Sequence, residues 1–196
     1  MTTTAERVRI ISEQVLSDDW YLLKKVTFDY LRNDGTWQRQ SREAYDRGNG
    51  AALLLYNLSQ RTVVLTRQFR MPAFLNGHDG MLIEAAAGLL DNAAPEERIR
   101  HEAEEETGYK VDVVTKIFDA YMSPGSVTEK LHFFVAEYDA ASKIASGGGL
   151  EGEGEDIDVL ELDFAQALSM VRSGEIQDAK TIMLLQYAAL NLFTGV

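Results

Sequence analysis

The 196-residue sequence contains no cysteine. Disulfides, thiolate nucleophiles and cysteine-held metals are thereby excluded, and the expected setting is the cytoplasm. Long apolar runs are also missing; none approaches the roughly eighteen residues of a membrane-spanning helix, so no membrane partner is expected. Positive charge is scarce, with 19 Lys and Arg against 31 Asp and Glu and a formal net charge of −12. A field of that sign opposes a sequence-independent grip on nucleic acid, so none is expected as partner. A phosphate-bearing small substrate would need local cations, meaning metal ions and a few placed arginines. The three histidines, His78, His101 and His132, have no ligand-like spacing, and each is expected to be a surface or strand residue. The opening MTTTAERVRI lacks the basic-then-apolar pattern of a secretory leader, and none is expected. With 45% apolar and 26% charged residues, the chain has ordinary globular composition and a length that suits one well-filled domain plus a small appendage.

Against that background the stretch Ala87 to Tyr109, AGLLDNAAPEERIRHEAEEETGY, is the most informative. Pro95 suits a helix first turn and Gly108 a left-handed cap just past the end, which predicts a helix from Pro95 to Thr107. Glu102 and Glu106 are four residues apart and Glu105 is three from Glu102, so three carboxylates share one side of that helix. Like charges at this spacing repel, and a divalent cation among them relieves the repulsion. Oxygen-only ligands favour Mg2+, with Mn2+ possible, over zinc.

The rest of the chain is rich in strand patterns. RVRIISEQVL, WYLLKKVTFDYLR and TWQRQSREAY predict an N-terminal antiparallel β meander over 1–46, with a hairpin turn at Asp34-Gly35, where both residues tolerate positive φ. Its small apolar mass predicts packing against the main domain or a second subunit. AALLLY and TVVLT predict buried strands of a central sheet, Gly80 to Ala87 one further strand, and VDVVTKIFDAYM, LHFFVAEYD and DVLELDF three more. Helices are predicted over Phe164 to Arg172 and over Thr181 to Phe193, with Asp178 as a cap and Ile182, Leu185, Ala189 and Leu192 as a core stripe. The fold class is α+β, an α/β/α sandwich with a mixed sheet over 47–196. The acidic, glycine-rich stretch GGGLEGEGEDID is predicted to be a solvated loop or a functional lid.

The segment His101-Glu102-Ala103-Glu104-Glu105-Glu106-Thr107-Gly108-Tyr109 resembles the signature of the Nudix hydrolases. His101 stands where that family has arginine, the preceding loop is one residue shorter, and Ala93 or Ala94 replaces the family's first glutamate. REAYDRGNGAALLLYN, RQFR, AGLLDN, YMSPGSVTEKLHFFVAEY, GEDIDVLEL and GEIQDAKT together resemble the GDP-mannose hydrolase subfamily, from near Leu16 to the C-terminal helix. That resemblance implies metal-dependent cleavage of the pyrophosphate of GDP-mannose to GMP and mannose 1-phosphate, by a homodimer that exchanges its N-terminal strands. It implies metal ligands Glu102, Glu106, Glu155 and the backbone carbonyl of Ala87, with Glu105 a further ligand or an orienting group. Substrate contacts implied are Trp20 on the guanine, Arg42 and Glu43 across the dimer, Arg70, the Ala87-Gly88-Leu89 loop, Glu129 and Lys180. Arg67 is then a structural ion-pair residue. The general base is Glu129 or Glu155. Two alternatives remain: an ADP-ribose pyrophosphatase, whose family also carries RQFR-like strands, and a non-catalytic nucleotide-sensing domain.

Overall fold

The structure, a computed structural model, describes residues 3–91, 93–150, 152 and 154–194. Asn92 of the signature loop and Glu151 and Glu153 of the acidic loop lie outside the described residues. The chain divides into two units, Met1–Asn49 with Tyr121–Lys130, and Gly50–Ala120 with Leu131–Val196.

In the first unit a 3-10 turn at Ala5–Arg7 leads into β1 (Val8–Asp18), β2 (Leu22–Leu31) and β3 (Trp37–Asp46), an antiparallel sheet in the order β1-β2-β3. At the β2–β3 turn only Gly35 takes positive φ, at 83°; Asp34 instead accepts the Thr36 N–H at 2.9 Å. The hairpin turn thus falls at Asp34-Gly35 as expected, with the Asp side chain closing it. Strand β1 leaves Ile10, Ile11, Val15 and Leu16 exposed. The 121–130 loop is pinned to β3, where the Tyr45 N–H donates to Ser126 O and the Thr128 N–H to Tyr45 O.

The second unit contains β4 (Gly50–Asn57), β5 (Thr62–Phe69), a short α1 (Met71–Leu75), β6 (Met81–Glu84), β7 (Ala86–Leu89), α2 (Pro95–Thr107), β8 (Thr115–Tyr121), β9 (Lys130–Glu137), β10 (Asp158–Asp163), α3 (Phe164–Ser173) and α4 (Ala179–Asn191). The sheet is mixed: the order is β10-β5-β4-β9-β8, β4 runs parallel to β9, and β4 pairs antiparallel with β5. Strand β4 is apolar on both faces because both are covered. Ala51, Leu53 and Leu55 join Ile99 and Ala103 of α2 in one cluster with Val64, Phe134 and Ala136, while Ala52 and Leu54 are buried on the opposite face. Helix α4 packs on β4 and β6 and helix α3 on β10 and β5, giving helices around a central sheet. Among the described residues no helix is long and apolar enough to cross a membrane.

Two departures from the sequence expectation matter for the site. The predicted single strand over Gly80 to Ala87 is two strands, broken at Ala85. Thr181 of α4 accepts the Ala85 N–H on its Oγ1 at 2.7 Å, which takes that donor out of the ladder. As a result β6 pairs with the far half of β5, from Thr66 to Phe69, and β7 with the near half of β4, from Gly50 to Leu53. The sheet therefore forks. Helix α4 also begins at Ala179, capped by Asp178, whose Oδ2 accepts the Thr181 N–H at 2.9 Å. Its buried stripe is Thr181, Leu184, Leu185 and Ala188, and the predicted Ile182, Ala189 and Leu192 are only half-buried. Anchoring Thr181 to the fork turns the helix by about one residue.

Candidate active site

Among the described residues the buried acidic side chains are three, Glu84, Glu102 and Glu106. Burying a carboxylate costs free energy unless it is paired or holds a cation, so their convergence near the sheet fork asks for a function. Helix α2 has the predicted bounds, with Pro95 in its first turn and Gly108 at φ 74° closing it. Its inward stripe is Ile99, Glu102, Ala103, Glu106 and Thr107. The apolar members anchor the helix on β4, and the same periodicity carries the two glutamates inward against β7.

There the Ala87 N–H donates to Glu106 Oε2 at 3.2 Å. Gly88 follows, and a Cβ on it would lie 1.9 Å from Glu102 Oε1. Glycine is thus required for the loop backbone to approach that carboxylate. Arg98, one turn before Glu102, places Nη2 2.6 Å from Glu102 Oε1, while its Nε donates to the Leu89 carbonyl at 3.1 Å, tying helix to loop. Burial, then the charge of Glu102, pushes the Glu106 carboxyl up to about 8; the Ala87 N–H and Arg70 pull it down, and the Glu155 charge adds to the rise. Glu155 sits in the acidic loop, its Oε2 accepting the Leu150 N–H at 3.0 Å. Glu105 is half-buried on α2.

On the other side of the fork, Glu84 ends β6. Its Oε2 accepts from Arg70 Nε at 2.7 Å, and its Oε1 pairs with Lys180 Nζ. Lys180 also reaches Asp178 Oδ1 at 2.9 Å. Burial disfavours the Lys180 charge, yet Glu84 and Asp178 together raise its pKa. The whole constellation holds five carboxylates, Glu84, Asp178, Glu102, Glu106 and Glu155, against three cations, Arg70, Arg98 and Lys180.

A divalent cation fits these residues on three grounds: the donors are oxygen only, they carry excess negative charge, and a glycine holds open the approach to Glu102. Among the described residues no three His, Asp or Glu side chains are already gathered in a metal-binding geometry. Glu102 and Glu106 form a pair to which a third ligand must be added.

The predicted site residues thus divide between the units. Arg70, Ala87, Gly88, Leu89, Glu102, Glu105, Glu106, Glu155 and Lys180 belong to the second, and Trp20, Arg42, Glu43 and Glu129 to the first. Trp20 is 83% exposed in the β1–β2 connection. Arg42 lies on β3, bonding Ser41 O and Gln40 Oε1, with Glu43 beside it opposite Lys25. Glu129 faces Arg47 at 3.4 Å. Arg67 pairs with Asp158 at 2.6 Å, the structural role predicted for it. Two members of the constellation were not singled out by sequence, Glu84 and Arg98. The signals available were a lone acid ending the apolar run Met81-Leu82-Ile83 and an arginine four residues before Glu102.

Residues 7–45 match the family model described as the GDP-mannose pyrophosphatase NudK N-terminal domain. The GDP-mannose pyrophosphatase of Pectobacterium atrosepticum is 58% identical over 93% of this chain and 94% of its own length. That of Salmonella arizonae is 53% identical over 97% of this chain and 100% of its own length, and that of Klebsiella pneumoniae 55% identical over 92% and 90%. A crystal structure of an ADP compounds hydrolase superposes with a TM-score of 0.71, covering 96% of this chain and 97% of that one at 15% identity, a likeness of fold. With relatives this similar across nearly its whole length, the chain belongs to the Nudix hydrolases of the GDP-mannose pyrophosphatase family.

Proposed function

We propose that this protein is a divalent-metal-dependent pyrophosphohydrolase that converts GDP-mannose into GMP and mannose 1-phosphate. The observation that carries the reading is the buried pair Glu102 and Glu106, set against the Ala87-Gly88-Leu89 backbone in a chain whose similar relatives are GDP-mannose pyrophosphatases. A pyrophosphate resists attack because its oxygens repel the nucleophile; a bound Mg2+ or Mn2+ would offset that charge and lower the pKa of the attacking water.

The protein's share of the work follows from its side chains. Glu102, Glu106, Glu155 and the Ala87 carbonyl would hold the cation, with Glu105 as a further ligand or an orienting group. Arg70 and Lys180 would contact phosphate oxygens, and Gly88 and Leu89 would line the approach. A proton must leave the water, and Glu129 or Glu155 would accept it. Trp20 would stack on the guanine, and Arg42 and Glu43 would reach the substrate of a second subunit. The exposed apolar residues of β1, Ile10, Ile11, Val15 and Leu16, support a homodimer in which residues 1–46 exchange and residues 47–196 form the hydrolase domain. The cytoplasm is the proposed location, in keeping with a chain that needs no disulfides.

The test is a comparison of kcat/KM for GDP-mannose and ADP-ribose with magnesium. GDP-mannose should be preferred, and a large preference for ADP-ribose would reject the substrate assignment.

A further inference from the structure

We propose that Glu84 is a positioning residue, holding Arg70 and Lys180 as one cationic pair aimed at the substrate's phosphates; this rests on the pyrophosphohydrolase reading of the site. Glu84 is 3% exposed, and its two oxygens are divided between two cations from distant parts of the chain, Oε2 on Arg70 Nε at 2.7 Å and Oε1 on Lys180 Nζ. Its backbone is held as firmly: Thr66 Oγ1 donates to the Glu84 carbonyl at 3.2 Å, and Thr181 Oγ1 accepts the next N–H, that of Ala85. The carboxylate therefore sits at the junction of β5, β6 and α4 with little freedom to move.

Arg70 follows β5 as the residue that opens α1, and Lys180 lies in the first turn of α4. Among the described residues no hydrogen bond between those two elements fixes their cations relative to one another; the shared carboxylate does. Arg70 uses Nε for Glu84, so the guanidinium's Nη1 and Nη2 edge is not spent on that bond, and this is the edge that can bind a phosphate in a fork. Glu84 also leads directly into Ala85-Ala86-Ala87, whose last N–H meets Glu106. One rigid segment thus sets both the cation pair and the loop facing the acidic helix. A surface ion pair has none of this geometry; Arg67 with Asp158, both exposed, is the internal contrast.

Glu84→Gln keeps the volume and one acceptor but removes the charge that restrains the two cations. KM for GDP-mannose should rise about 10- to 100-fold, the loss expected when charged hydrogen bonds to the substrate lose their alignment, while kcat falls less than KM rises. GDP binding measured by calorimetry with magnesium should weaken in parallel, and in an Arg70→Gln background Glu84→Gln should add less than it costs alone, only the part that acts through Lys180. Glu84→Asp retains the charge but retreats by one methylene, so it should fold even if Glu84→Gln does not, and should give a smaller rise. Arg67→Gln should leave KM and GDP binding unchanged. Wild-type KM and GDP affinity in both Glu84 variants, or full additivity with Arg70→Gln, would overturn the proposal. Absence of GDP-mannose turnover by the wild-type protein would overturn the substrate assignment instead, and GDP binding would still decide the role of Glu84.

Discussion

Glu106 provides a prediction that needs no substrate. Its carboxyl is 2% exposed and is pushed up to about 8 from an ordinary value of 4.5, chiefly by burial and by Glu102. A carboxyl raised in this way binds more protons in the native than in the unfolded state across the interval between those two values. In metal-free protein the stabilisation is therefore fully present below about 4.5 and is lost as pH rises toward about 8. One proton corresponds to a slope of about 1.4 kcal/mol per pH unit, so stability should fall by about 2.5 kcal/mol from pH 5.5 to 7.5. For a chain of this length that is a drop in Tm of about 5–10 °C. Asp29, Asp34 and Asp119 are lowered below ordinary carboxylate values by Arg39, Thr36 and Lys116, and so act only at more acid pH, outside the window. The assay is thermal unfolding in chelator at several pH values, repeated with excess magnesium. Magnesium should flatten the slope by favouring the ionised carboxylate, and Glu106→Gln should be flat without metal. A wild-type slope of zero in chelator, or a variant that retains the full slope, would refute the reasoning.

Three further outcomes follow from the same geometry. Glu102→Gln should abolish magnesium-dependent turnover while the far-ultraviolet dichroism stays that of the wild type; near-normal kcat would mean that the metal ligands lie elsewhere. Gly88→Ala should displace Glu102, whose Oε1 is 1.9 Å from the added Cβ, lower kcat/KM by about 100-fold, the order expected for an ångström-scale misplacement, and cost about 1–3 kcal/mol of stability by calorimetry, the overpacking range. Asp178→Ala removes the α4 cap and one partner of Lys180, and should cost about 1–2 kcal/mol in denaturant unfolding; no change would show that the cap contributes nothing.

Much of the second unit was legible because its signals are local. Pro95 and Gly108 punctuate α2, the apolar runs of β4 and β5 require a sheet covered on both faces, and the spacing of Glu102 and Glu106 places them on one side of a helix. The fork was not legible, since the event that makes it is the capture of the Ala85 N–H by Thr181, 96 residues away. Glu84 escaped notice for the same reason: its partners are 14 and 96 residues distant, and a strand pattern says nothing about which cation meets a lone acid. Arg98 was visible as an i, i+4 partner of Glu102, yet its bond to the Leu89 carbonyl depends on how the loop returns over the helix. Among the residues marked by resemblance, Arg42 and Glu43 lie on strand β3 and Trp20 in the connection before β2, in a stretch whose pattern specifies strands and not a ligand.

The central claim, metal-dependent scission of a diphosphate, is tested most directly by following GDP-mannose with this protein by phosphorus NMR, with and without magnesium. The account predicts that the two diphosphate resonances give way to two phosphomonoester resonances, those of GMP and mannose 1-phosphate, only when magnesium is present. Intact diphosphate under both conditions, or release of GDP with the P–O–P linkage preserved, would contradict it.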